Sequence, residues 1–531
     1  MIYFLLPSVN IYSIYNFIDL QLEEETPKIK ISNSLSNYLY EIKDKIKECE
    51  YEWDIYKKYT NPYEYINSLV PDIFNNSNKK RNEYFIRQRS NSSSEIIHRQ
   101  NKITNEQNAS LYLLEKSNDL NQVNNLQYDI SANTNVFNLI SQNKIVDNSE
   151  RTYITHNKYI SKCVAKYKPL SRSYFKMIEL LNNFIFTKNV NIFFDNYDSF
   201  SEKKYEDYNS NNINDIRNFI NSEKTDISNT YLFNSRQNIN QYIQTKNKKD
   251  LIHSFHLAEG PGGFIEALVN LRKNPNDLYV GMTIVDDINE QNVPGWKKSD
   301  NFLKNNNNVI IELGKDKTGN ILSMQNFLYC RNKYKSSMDL ITADGGFDFS
   351  LDFNNQEINI AKLLYGQISY ALCLQKYGGC FILKIFDCFM QHTIDLLYLL
   401  SSSYEKVYIT KPQTSRYANS EKYIVCKNFL IKNDEKIFPY IKKTFEKIID
   451  EKIMKNMHIH RFLKIPISIF FVTKLEEYNA IFGQQQIENI HQTIVYIENK
   501  SKNDVLDSLI KSNIQKCIHW CIKYKIAYNS F

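Results

Sequence analysis

Residues 256–264 read HLAEGPGGF, and an apolar run over 252–257 leads into them. A short apolar segment that stops at a glycine-rich turn and resumes as a helical pattern, here over 264–271, predicts a βα unit. Gly260, Gly262 and Gly263 let the backbone pass close to a ligand, and the helix that follows offers its unpaired N–H groups. Two phosphate-binding loops are excluded, because the third glycine of a GxGxxG would fall on Ile265 and no GK[ST] follows. Taken alone, the turn is equally compatible with a tight βα connection that binds nothing.

Outward from this turn, strand and helix patterns alternate. Strands are predicted at 252–257, 278–284, 309–313, 339–343, 380–385, 406–410 and 423–427. A helix is predicted at 358–375, where Ala361, Leu364, Ile368 and Leu372 recur at helical spacing. This alternation implies βαβ units and a mainly parallel sheet, with ligands at the carboxyl ends of the strands. Glycine usage points to the same segment: of 13 glycines none precedes Gly260, twelve lie between Gly260 and Gly379, and Gly483 is the exception. A chain that otherwise avoids glycine has gathered its tight turns and close approaches in one place.

The 531 residues are too many for one core, and two or three domains are expected. Residues 1–74 read as an N-terminal helical region. Residues 75–150 read as an Asn-rich flexible insertion, 151–430 as the α/β domain with a polar insertion at 200–249, and 431–531 as a mainly helical C-terminal region. Aromatic residues at 14% and hydrophobic residues at 42% exclude a wholly disordered or collagen-like chain. No run of 18 apolar residues predicts a membrane span, and the opening MIYFLLPSVNIY lacks the basic start and cleavage site of a signal peptide. Nine cysteines without paired CxxC motifs fit reduced thiols, and an intracellular chain, cytoplasmic in preference to nuclear, is expected. Cys517, His519 and Cys521 lack the second half of a zinc site and read as helix packing; no metal is expected. A net charge of +7 permits a polyanionic partner without requiring one.

Six blocks follow one another in order: AEGPGGF, GMTI at 281–284, GKDKTGNI at 314–321, ADGGF at 343–347, GGCFILKIFD at 378–387 and KPQTSRYANSEKYIVCK at 411–427. Together they resemble the FtsJ-like (RrmJ-type) family of S-adenosylmethionine-dependent RNA ribose 2′-O-methyltransferases, most closely its mRNA cap-specific branch in eukaryotes and large DNA viruses. The resemblance covers roughly residues 165–430. It implies a Rossmann-like domain with a seven-stranded, mainly parallel sheet and helices on both faces, flanked here by mainly helical regions. It also implies S-adenosyl-L-methionine as cofactor and the ribose 2′-hydroxyl of the first transcribed nucleotides of capped mRNA as acceptor. Ribosomal or transfer RNA is the alternative substrate, and a non-catalytic RNA-binding subunit a third reading.

Residue by residue, the resemblance places a Lys-Asp-Lys-Glu tetrad on Lys176, Asp344, Lys384 and Glu421. A ribose hydroxyl is a poor nucleophile, and an amine that takes its proton must first be neutral, which a neighbouring ammonium and partial burial favour. Lys384 is assigned as the group that activates the hydroxyl, with the other three as electrostatic and positioning partners. Read singly, Lys384 is a solvated strand-end charge, Asp344 a turn cap, Glu421 a surface ion-pair partner and Lys176 a helix-face charge. Their joint occurrence in ordered blocks favours the catalytic reading.

The resemblance assigns the cofactor to Ala258, Glu259, Gly260, Pro261, Gly262, Gly263, Phe264, Asn320, Ile321 and Asp344. Asn320 stands where relatives often carry an acidic residue, and its carbonyl oxygen can still accept from adenine. Ser171, Arg172, Arg416 and Asn419 are placed beside the transcript, where arginine forks suit phosphate. The stretch from Lys158 to Arg172, with Lys162, Lys166 and Lys168, reads as a phosphate track or as a solvated helix face, and KKRNEYFIRQR at 79–89 reads as an RNA-contacting arm or a solvated linker. Capped mRNA is the expected partner, with other capping enzymes or transcription machinery as candidates and no membrane.

Overall fold

The computed structural model describes residues 1–9, 14–71, 162–186, 251–285, 295–346, 354–499 and 503–531. The insertions expected at 75–150 and 200–249, the basic stretch at 79–89 and Lys158 lie outside the described residues. Met1–Leu69 and Cys163–Phe531 form one compact unit.

Ten strands are assigned among the described residues: β1 (Ile2–Leu5), β2 (Ile18–Glu23), β3 (His253–Leu257), β4 (Leu278–Met282), β5 (Val309–Ile311), β6 (Met338–Ala343), β7 (Gln375–Ile385), β8 (Tyr404–Lys411), β9 (Lys422–Phe429) and β10 (His458–Leu463). The longer helices are α1 (Asn33–Glu48), α2 (Glu50–Thr60), α3 (Ser173–Leu180), α4 (Gly263–Arg272), α5 (Met324–Tyr334), α6 (Gln356–Leu374), α7 (Gln391–Ser403), α8 (Phe438–Ile449), α9 (Ile469–Glu498) and α10 (Asn503–Lys523).

Eight strands form one sheet in the order β1-β8-β9-β7-β6-β3-β4-β5. Strands β7, β6, β3, β4 and β5 run parallel to one another, as helical crossovers require. Strand β9 is antiparallel to both β7 and β8. All seven predicted strands are present. The eighth is β1, antiparallel to β8 with Ile2 opposite Lys411 and Leu5 opposite Tyr408. The N-terminal region thus holds a strand where helix was expected. IYFL is too short and too uniformly apolar to show a period, and its partner lies some four hundred positions away, so no local signal exists. Likewise β2 and β10 form a separate two-stranded sheet between the two flanks.

The sheet's helix-covered faces supply the core. Helix α6 is buried on nearly every side, which matches its near-continuous apolar sequence. Phe327 of α5 stacks on Phe445 of α8 at 4.7 Å, and Tyr365 of α6 stacks on Phe462 of β10 at 4.8 Å. Each fully buried side chain of this size contributes about 1.5–3 kcal/mol. The flanks are fastened to each other: Asn489 of α9 donates to the Thr60 carbonyl at 2.9 Å, and Asn513 of α10 to the Tyr59 carbonyl at 2.7 Å. Cys517 and Cys521 are buried in α10, with the Cys517 thiol 3.5 Å from the Pro62 carbonyl. Among the described residues no helix is long and apolar enough to cross a membrane, and no group of three His, Cys, Asp or Glu side chains is placed to hold a metal.

Candidate active site

Strand register builds the site. Leu257 of β3 lies opposite Ala343 of β6, Ala343 opposite Leu383 of β7, and Lys384 opposite Tyr423 of β9. The residues just past these pairs, Ala258, Asp344 and Lys384, therefore emerge side by side at the carboxyl ends of parallel strands. Glu421 immediately precedes β9 and joins them there.

The four tetrad side chains are mostly buried, between 9% and 14% exposed. Lys384 Nζ donates to the Asp344 carbonyl oxygen at 2.6 Å and lies 3.3 Å from Asp344 Oδ1. The Tyr423 hydroxyl donates to the same Oδ1 at 2.8 Å. Lys176 Nζ reaches Glu421 at 2.7 Å, and Ser415 Oγ donates to Glu421 Oε1 at 2.8 Å. Burial alone would push the Glu421 carboxyl up, but Lys176, Lys384 and Lys411 around it outweigh burial and hold it down at about 2.

Lys176 comes from α3, well before the sheet's first parallel strand, and two local features deliver it. A Cβ at Gly263 would run into the hydroxyls of Ser171 and Ser173, so the glycine lets the start of α3 lie directly on the start of α4. Glu179, buried one turn after Lys176, accepts from the backbone N–H groups of Gln413 and Thr414 at 2.8 Å each. The same helix therefore carries the lysine and anchors the loop that carries Glu421.

The glycine turn forms a compact cradle. Gly262 sits at φ +98° with Trp296 against it, a conformation open to glycine. Ala258, Gly260, Asn320 and Asp344 are partly accessible, whereas Glu259, Pro261, Gly262, Gly263, Phe264 and Ile321 are buried and shape the turn from within. The Glu259 carboxylate is taken up beneath it, accepting from Ile265 N–H at 3.0 Å and Thr342 Oγ1 at 3.1 Å, with His256 Nδ1 at 3.5 Å. Burial pushes this carboxyl up. Asn320 Oδ1 already accepts from Leu322 N–H at 2.9 Å. An adenine amino group would thus meet the remaining lone pair of that oxygen. An accessible backbone cradle at a strand end, with the Asp344 carboxylate beside it, suits a cofactor that carries an ammonium group and a ribose.

The sequence-assigned RNA residues divide. Ser171 and Ser173 share a hydrogen bond at 2.5 Å. Asn419 accepts the Lys411 ammonium through both its main-chain oxygen at 2.7 Å and its side-chain oxygen at 2.8 Å. Arg172 is turned inward, donating to Glu64 at 2.7 Å and to the Thr414 carbonyl at 3.1 Å, whereas Arg416 is 47% exposed. Lys162, Lys166 and Lys168 are exposed.

Lys411, Ser415, Tyr423, Glu179 and Glu64 were not singled out by sequence reasoning. The first three lie inside the KPQTSRYANSEKY block, where attention to every polar position would have found them. Lys411 Nζ also donates to the Glu421 carbonyl at 2.8 Å, so one buried amine ties both ends of the loop. Burial pulls it down to about 7, with Lys422 and Lys176 acting in the same direction and Glu421 and Asp387 opposing.

A strand-end cradle beside two lysine–carboxylate pairs, on a mainly parallel sheet with β9 and β1 reversed, defines the fold class as Rossmann-like. Residues 235–429 match the family described as FtsJ-like methyltransferase. Lys176 lies outside that match, so its place in the site comes from geometry. Among curated proteins, the chain is 33% identical over 194 residues to cap-specific mRNA (nucleoside-2′-O-)-methyltransferase 1 of Trypanosoma brucei brucei, covering 35% of this chain and 50% of that protein. It is 29% identical over 291 residues to the corresponding methyltransferase 2 of Mus musculus, covering 51% of this chain and 37% of that protein. It is also 26% identical over 306 residues to a Caenorhabditis briggsae protein named inactive cap-specific mRNA (nucleoside-2′-O-)-methyltransferase 1B, covering 55% of this chain and 35% of that protein. The chain spans about half or less of the length of these relatives.

Proposed function

We propose that the protein transfers a methyl group from S-adenosylmethionine to the ribose 2′-hydroxyl of the first transcribed nucleotides of capped mRNA. The single observation that carries the reading is the closed tetrad: Lys384 on Asp344, Lys176 on Glu421, and Glu421 in the field of both lysines. Similarity alone does not decide activity, since it extends to a relative named inactive; the four side chains in place support the active reading.

The cofactor supplies an electrophilic methyl on a sulfonium. Ala258, Gly260 and the start of α4 would hold it, with Asp344 toward its amine and Asn320 toward its adenine. The chain's own residues do the rest. Asp344, through its main-chain oxygen and its carboxylate, fixes the Lys384 amine in one orientation. In its neutral form that amine takes the 2′-hydroxyl proton as the oxygen attacks, and Asp344 and Glu421 stabilise the ammonium that results. Lys176, held by Glu421, adds positive charge beside the oxygen as negative charge develops on it. Alignment of hydroxyl with methyl supplies much of the remaining barrier reduction.

Capped RNA as the acceptor is supported by the names of the relatives. The test is incubation with labelled cofactor and capped, uncapped or structured RNAs. Label on capped RNA alone supports the proposal, transfer to structured ribosomal or transfer RNA redirects it, and binding without transfer on any RNA contradicts it.

A further inference from the structure

Glu64 belongs to the short helix Glu64–Ile66, far outside the FtsJ-like stretch, yet its carboxylate lies against the site. It is 2% exposed. One oxygen accepts from Arg172 Nη1 at 2.7 Å and from Asn61 Nδ2 at 2.6 Å; the other accepts from Ser68 Oγ at 2.9 Å and Arg416 Nη2 at 3.3 Å. Arg416 Nε stands 3.4 Å away. Burial would raise this carboxyl, but the two guanidinium groups outweigh it and hold it at about 2.

The two arginines are not equivalent partners. Arg172 spends Nε and Nη2 on the Thr414 carbonyl and Nη1 on Glu64, leaving a side chain 20% exposed. Arg416 touches Glu64 through Nε and Nη2 only, and 47% of its side chain faces solvent. It is thus gripped along its Nε–Nη2 edge while nearly half of the side chain stays open to solvent. Its neighbour Ser415 is hydrogen-bonded to Glu421, so the loop that carries Arg416 also touches the tetrad. Two guanidinium groups and one carboxylate leave a net charge of +1 where a polyanion would lie.

We propose that Glu64 is a positioning residue for the RNA substrate: it clamps Arg416 so that the free edge of the fork meets a transcript phosphate next to the reacting nucleotide. This rests on the RNA reading of the site. A planar fork held on one side loses less freedom on binding a phosphate than a loose one, and bidentate pairing rewards correct orientation. Glu64's short helix is held from both sides: Tyr63 beside it receives a hydrogen bond from Gln413 of the α/β domain at 2.9 Å, and Cys517 of α10 in the C-terminal flank meets Pro62. The N-terminal flank would therefore act in substrate positioning as well as in folding.

The test is Glu64→Gln, which keeps shape and removes charge. Equilibrium binding of a capped oligoribonucleotide at several salt concentrations is measured beside turnover and cofactor affinity. The expected result is RNA affinity weakened roughly tenfold, with KM for RNA raised to match, kcat and cofactor affinity nearly unchanged, and partial recovery in Glu64→Asp. Arg416→Lys, which keeps charge but loses the fork, should reproduce the defect, and the double variant should be no worse than either single one. Tighter RNA binding by Glu64→Gln with a steeper salt slope would mean that Glu64 repels phosphate, and would overturn the proposal. Unchanged RNA binding with a lowered melting temperature would reduce Glu64 to a structural role and overturn it too. If Glu64→Gln does not fold, Arg416→Lys alone decides: unchanged RNA affinity there overturns the clamp. A wild-type protein that binds RNA without methylating it contradicts the catalytic reading, while the binding comparison still decides the clamp. A wild-type protein that binds no RNA overturns both.

Discussion

Between Gly260 and Gly379 lie twelve of the chain's 13 glycines, and from the turns of this segment come Asp344 and the cofactor cradle, with Lys384 just beyond it. The described flanks, 1–71 and 430–531, hold a single glycine and no tetrad member, yet they supply β1 on the sheet edge and Glu64 against the RNA-side loop. They also supply Lys43, whose ammonium lies buried 3.0 Å from Asp387, three residues after Lys384. Burial raises the Asp387 carboxyl, but Lys43 first and then Lys422 more than compensate. On the proposed reading, one region carries the reacting groups in short motifs set by local backbone geometry. The other orients those motifs through single buried contacts between residues remote in sequence. Chemistry is therefore concentrated in the sheet, whereas alignment is distributed over the whole unit.

The largest expected effect sharpens the first half of this contrast. Lys384→Ala should lower methyl transfer by about 10²–10⁴-fold, the usual contribution of a positioned base, while cofactor binding by calorimetry stays nearly intact. Turnover retained above a small fraction of wild type would remove Lys384 from its role. Next, Gly262→Val should abolish measurable cofactor binding. A branched side chain at φ +98° costs at least about 1–2 kcal/mol, and its Cβ would stand 2.9 Å from the Trp296 ring. Unchanged affinity would contradict the position of the cradle.

A third prediction compares one carboxylate from each region. Glu421 and Glu64 are both lowered from 4.5 to about 2. A depressed carboxyl contributes stability that is fully present above its unfolded value and is lost as pH falls through the folded one. The urea midpoint should therefore fall between pH 4.5 and about 2, and Glu421→Gln and Glu64→Gln should each flatten that fall. A wild-type curve parallel to both variants would contradict the ion-pair assignments. The smallest effect is expected where the chain makes its longest excursion outside the described residues. Val70 N–H donates to the Lys162 carbonyl at 3.0 Å, so the chain leaves and returns at one point. Replacing residues 75–150 by a short linker should leave cofactor affinity unchanged; a loss would give that segment a part in the catalytic domain.

The sheet was legible because each strand is a short apolar run bounded by turn residues, and α6 because Ala361, Leu364, Ile368 and Leu372 mark its period. Asp344, Lys384 and Glu421 were legible through the resemblance, because each sits in one of the six ordered blocks that carry it. Lys176 also came from the resemblance, although SRSYFK lies outside those blocks and has no pattern of its own, and the α3–α4 contact with the Glu179 anchor shows why it reaches Glu421. Glu64 gave no local signal for its role: the two arginines it holds stand 108 and 352 positions away. Arg172 illustrates the converse, a residue of the right type for phosphate whose donors are turned inward by a contact from the flank.

The central claim, that the tetrad directs a methyl group to a ribose 2′-hydroxyl, is tested most directly by locating the methyl. Capped RNA incubated with the protein and labelled cofactor is hydrolysed in alkali, which cleaves beside a free 2′-hydroxyl and spares a methylated one. The account predicts label in an alkali-resistant linkage at the first nucleotides with wild-type protein, and none with Lys384→Ala. Label on a base, label released as single nucleotides, or equal resistance with both proteins would contradict it.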